Sequence, residues 1–180
     1  MKIDTQDWTA AKIYQLAANR QIDGIMLHFD AMIYFDFLGL YKFAEIQDKR
    51  YNDESKSLCR TIQTYSSRHG MLLVPKPAAQ DSIIPKGADE TKSNTISIDF
   101  KRHALADFMD EWCKWEKETE EFFHTAADWC YKNQCADAYY FSDLARAVGD
   151  ERCMLSRIDA QMAISNYSLA DAERIASEVK

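Results

Sequence analysis

The chain has 180 residues, 47% of them apolar and 28% charged, enough to fill one continuous core and far from the composition of a disordered segment. Its formal net charge of −7 would be repelled by a phosphate backbone, which excludes nucleic acid as a main partner. Cys59, Cys113, Cys130, Cys135 and Cys153 are odd in number and form no CxxC pair, so they predict neither a disulfide framework nor a zinc ribbon but a reducing, cytoplasmic setting.

The N-terminal MKIDTQDWTAAK carries charges and Trp8 where a secretory signal needs an apolar run, and no later stretch reads as a membrane span. A first helix is predicted over about residues 6–38, ending at Gly39. Ile25, Met26, Phe29, Met32, Ile33 and Phe37 make it apolar almost all round. Such a helix needs cover on more than one side, which predicts a subunit interface and a homo-oligomer. A second helix over about 41–69 ends at Gly70. All three prolines, Pro75, Pro77 and Pro85, then fall in one segment with Gly87 and the polar string ADETKSNT, so residues from about 71 to 97 are predicted to be an irregular connection.

The third helix is predicted over about 98–131 and the fourth over about 136–165, separated by Lys132-Asn133-Gln134. A short fifth helix starts at Ser168, where Ser168 and Asp171 have capping-box spacing ahead of Leu169, Ile175 and Val179. The short links make helices one and two antiparallel, and likewise three and four. The long link can run the length of the molecule. These elements predict one all-α domain over residues 1–180, an up-down-down-up four-helix bundle with one long crossover and a short C-terminal fifth helix.

In helix three, Leu105, Phe108, Trp112, Trp115, Thr119, Phe122 and Ala126 form one seam, and Met109, Glu116, Phe123 and Cys130 the stripe beside it. Glu116 is the one charged member of that stripe, and a buried carboxylate needs a partner. Helix two places Glu54 in line with Gln47 and Thr61, and helix four sets Glu151 among Leu144, Val148, Leu155 and Ile158. Carboxylates converging in a bundle suit a metal that prefers oxygen ligands, such as iron or manganese. They equally suit ion pairs, for which Arg50 and Arg152 are at hand. On helix three, Glu121 and His124 form an E-x-x-H string outside the Glu116 stripe. Glu116, Glu120 and His124 share a face at four-residue spacing, which offers a secondary metal site as the alternative to the better reading of solvated charge. Cys59, Cys113 and Cys153 are expected to be small buried thiols. No nucleotide-binding or common hydrolase motif occurs.

Several short strings, by their order and spacing, are similar to those of the non-haem ferritins over about residues 10–165: Tyr34-Phe35-Asp36, Lys42-Phe43-Ala44, Asp53-Glu54, Arg68-His69-Gly70, Glu116-Lys117 and Gly149-Asp150-Glu151. The resemblance implies a ferritin-like bundle with a diiron centre that takes a Glu from helix one, an E-x-x-H pair from helix two, a Glu from helix three and a Glu or Gln from helix four. Glu54, Glu116 and Glu151 match three of these positions. Ser57 stands where the His should be. Helix one offers Gln21 at the Glu position with His28 one heptad later, or Ile25 in an alternative register.

The metal set the resemblance implies is thus Glu54, Glu116, Glu151, His28 and Gln21, with iron as the metal and manganese or zinc left open. The function it implies is an iron-binding or storage subunit with a reduced ferroxidase centre, at most a slow oxidase of iron, assembled as a homo-oligomer or shell. The longer crossover and short closing helix depart from the family and put a standard shell in question. The alternatives are a bundle without metal chemistry that serves as a structural or interaction module, and a diiron oxidase with an organic substrate.

Overall fold

The computed structural model describes residues 3–77, 82–84 and 95–178. Five helices follow one another: α1 (Ala10–Leu38), α2 (Tyr41–His69), α3 (Ile98–Lys132), α4 (Ala138–Ile164) and α5 (Leu169–Glu178). No strand occurs among the described residues. Among them too, no helix is long and apolar enough to cross a membrane.

Local chemistry sets the ends. Thr9 is extended and its hydroxyl accepts from the Lys12 amide at 3.2 Å, so α1 starts at Ala10, later than about residue 6. Gly39 has φ +79, and the Leu40 amide turns back to the Phe35 carbonyl at 2.8 Å, which closes α1 and reverses the chain. Ser97 caps α3 through the Phe100 amide. Gln134, at φ 53, turns the chain between α3 and α4, and the Cys135 amide returns to the Cys130 carbonyl at 2.8 Å.

The hairpins pack with α1 antiparallel to α3 and α2 antiparallel to α4. Trp8 meets Phe122 at one end while Phe35 meets Phe108 at the other, with ring centroids 5.9 and 5.1 Å apart. Likewise Arg50 pairs with Glu151, and Arg68 with Asp137. Helices two and three therefore run the same way, and the chain must travel the molecule's length between them. Its described parts do so. Leu73 is buried with Trp8, Tyr14 and Tyr65 at the end where α2 stops, and Lys76 exchanges two hydrogen bonds with the Asn19 side chain. Ile83, Ile84 and Ile96 pack on the opposite cluster. The rest of the crossover expected over 71–97, residues 78–81 and 85–94, lies outside the described residues.

The core falls into two apolar clusters. One gathers Leu38, Phe43, Phe108, Leu155 and Ile175, and the other Tyr14, Tyr65, Phe123 and Phe141. Every residue of the two predicted α3 stripes is buried except Trp115, which is half-buried. Cys59 and Cys153, expected inside, are exposed, and Cys113 is half-buried. Their helices turn those positions outward.

Candidate functional site

A polar layer lies between the two clusters, built from the middle of all four long helices. Glu116 of α3 is 1% exposed. Its Oε1 accepts from the Trp112 indole at 3.1 Å, one turn earlier on the same helix, and its Oε2 is buried with no hydrogen-bond partner. Burial first, then the charge of Glu151, pushes the Glu116 carboxyl up to about 8. Glu54 of α2 is half-buried, and burial followed by repulsion from Glu116 and Glu151 also pushes it up to about 8. The three acids are therefore within one another's electrostatic reach. Fully ionised, they would be a costly interior.

Two groups of the layer offset that charge. Arg50, one turn before Glu54, sets its Nη1 2.5 Å from Glu151 Oε1, with its own side chain 12% exposed. Arg20 of α1 donates to the Thr119 hydroxyl and the Trp115 carbonyl, pairs with Glu118, and lies over the Trp115 ring. Of the two arginines offered as partners for inward acids, Arg50 thus serves Glu151, while Arg152 serves Glu120.

Helix α1 contributes no charge to the layer from Gln21 or His28. Gln21, 2% exposed, donates to the Ser57 hydroxyl at 2.7 Å, and its Oε1 has no partner. His28, 1% exposed, shares a hydrogen bond of 2.8 Å between Nδ1 and Gln47 Oε1 and stands edge-on to Trp112 and Trp115. Burial pulls its imidazole down to about 4, so it is neutral at ordinary pH. Gly24 makes this crowding possible. A Cβ there would lie 2.5 and 2.7 Å from the Trp115 ring and 3.3 Å from Glu54 Cγ.

Of the five expected ligands, the three acids act on one another, while Gln21 is engaged with Ser57 and His28 with Gln47, and this donor set does not fit a two-iron centre. Gln21 is a neutral amide turned to Ser57, Ser57 offers only a hydroxyl, and Glu151 has one oxygen against a guanidinium. Among the described residues no group of three or more His, Cys, Asp or Glu side chains is arranged to hold a metal ion. The other E-x-x-H string resolves as surface charge: Glu121 and His124 are exposed, and His124 Nε2 lies 3.8 Å from Glu120 Oε1.

A second buried acid escaped the sequence reading. Asp137 accepts from the Tyr14 hydroxyl (2.9 Å), Arg68 (2.7 Å), His69 Nε2 (2.9 Å) and the Cys135 thiol (3.2 Å), tying α1, α2 and the start of α4 together. Burial works against its charge, but these four hydrogen bonds hold its carboxyl below the usual range. The signal was the Arg68-His69 pair at the end of α2, which bundle topology brings to the start of α4.

Together these features define an all-helical protein with a carboxylate-bearing polar layer inside. No family model, curated protein or solved structure matches the chain.

Proposed function

We propose that this chain is a ferritin-like bundle subunit whose metal centre has been altered, so that protons and arginine balance the charge of the carboxylates. In this reading it is a structural or interaction module of an oligomer rather than an iron oxidase. The observation that carries the proposal is the Gln21–Ser57 hydrogen bond. It joins the two positions at which the resembled family would supply a carboxylate and an imidazole, and a neutral amide paired with a hydroxyl holds a cation poorly.

Elemental analysis of protein purified without chelator, combined with the rate of Fe(II) oxidation in air, tests it. Metal well below one ion per chain and oxidation much slower than by a complete ferritin are expected. Two tightly held irons per chain with rapid turnover would overturn it.

An iron-binding or storage role with a weakened centre is the second reading. It is favoured by Glu116 Oε2 and Gln21 Oε1, two buried acceptors without partners. That role predicts metal bound weakly and lost when Glu116 is replaced by Ala.

A further inference from the structure

We propose that Arg50 is the built-in counter-cation of the carboxylate layer, a guanidinium that occupies the electrostatic place of a divalent ion and thereby keeps one out. The inference rests on the altered-centre reading and names the group that enforces it. Arg50 lies on α2 one turn before Glu54, so both side chains leave the same face of the helix. It reaches across to α4 and binds Glu151, with little of its side chain open to water.

The Arg50 charge also favours ionisation of Glu54 and Glu116 and opposes protonation of His28. Four of the five residues that the resemblance assigns to metal therefore feel this one cation. Arg20 also acts on Glu116, but its hydrogen bonds hold it to Thr119 and the Trp115 carbonyl.

A divalent ion bound by these carboxylates would come within about 2.0–2.6 Å of their oxygens, beside a fixed like charge with little water between. A guanidinium does not deprotonate in proteins, so raising the pH cannot relieve that repulsion. Its Nη1 lies against Glu151 Oε1, so that oxygen already faces a cation. Removing the charge while leaving the acids should release the layer to accept a cation.

Mn(II) is a suitable probe, followed on the full chain at pH 8 by equilibrium dialysis or by the resonance of the free ion. Arg50→Gln should bind Mn(II) at least about tenfold more tightly than the unmodified protein, since a like charge at this distance costs a divalent ion at least that much. Adding Glu116→Gln should return the affinity to its starting level. Arg50→Lys, which keeps the charge, should show no gain.

If Arg50→Gln is too unstable to hold its fold at ambient temperature, Mn(II) should raise its melting temperature while leaving that of the unmodified protein unchanged. Equal weak binding by both proteins, a gain that survives Glu116→Gln, or no thermal shift would overturn the role of Arg50 alone. Tight binding by the unmodified protein would overturn both this role and the altered-centre reading.

Discussion

Glu116 and Glu54 give the molecule a pH dependence of defined sign. Burial and mutual repulsion push their carboxyls up to about 8 in the fold from an ordinary 4.5, so between those values the folded chain holds more protons than the unfolded one, and stability falls as pH rises. His28 works the other way below its ordinary 6.5, because the unfolded chain accepts a proton that the buried ring refuses down to about 4. The acids therefore govern the window from about 6.5 to 8. The urea midpoint should be lower at pH 8 than at pH 6.5. Glu116→Gln, neutral throughout, should flatten this slope and stabilise the chain at pH 8 by on the order of 1–2 kcal/mol. A variant that melts below the unmodified protein at pH 8 would show that Glu116 is held charged by a partner. Asp137 behaves oppositely, because all four of its hydrogen-bond donors favour the ionised form. Asp137→Ala leaves the Tyr14 hydroxyl without its acceptor while Arg68, 41% exposed, stays in water, and should cost about 1–3 kcal/mol in denaturant unfolding. A loss under about 1 kcal/mol would mean that water replaces the carboxylate easily.

Helix α5 does more than close the chain. No side chain of α2's own sequence caps its start at Leu40, and the Lys42 and Phe43 amides instead donate to Glu173 at 3.0 and 3.1 Å. A carboxylate at a helix N-terminus satisfies free amides and complements the helix dipole. Glu173→Ala should lower stability by about 1–2 kcal/mol and speed amide exchange at both residues, whereas Glu173→Gln should lose only part of this. Unchanged exchange at Lys42 and Phe43 would remove the cap from the account. Such a contact between distant helices could not be read from sequence, where only spacing along one helix is visible. What spacing does govern was legible: proline confined to one segment and glycine at positions 39 and 70 bounded the helices to within a few residues, and the α3 stripes named its buried face. Ser57 and Gln21 were legible as departures from a pattern, but not as partners of each other. The choice between Arg50 and Arg152 was likewise hidden, because which acid each reaches depends on how α4 is rotated against α2 and α3.

The two apolar clusters are joined by all four long helices, so the polar layer between them divides the packing without dividing the chain. Thermal unfolding should be one cooperative transition, and two separable melts would show that the clusters fold independently. The outer surface of α1 carries a different consequence. Met26, Phe29 and Ile33 are exposed and recur at three- and four-residue spacing, so they form one ridge, with the Phe29 ring 5.8 Å from that of Tyr51 on α2. Ile22, Ile25 and Met32 are half-buried beside it. Apolar ridges of this kind on a helix whose other faces are already packed are what subunits cover in one another, and a symmetric pair would cover both ridges at once. Light scattering at micromolar concentration should therefore give a mass above the 20.8 kDa of one chain. Ile33→Glu or Phe29→Glu should shift the distribution to the single chain while keeping the helical spectrum, because those side chains already face solvent. Met32 is a poorer probe, since its half-buried position would mix loss of assembly with loss of folding. A single-chain mass for the unmodified protein, unaffected by either charge, would leave the ridge without a role in self-association.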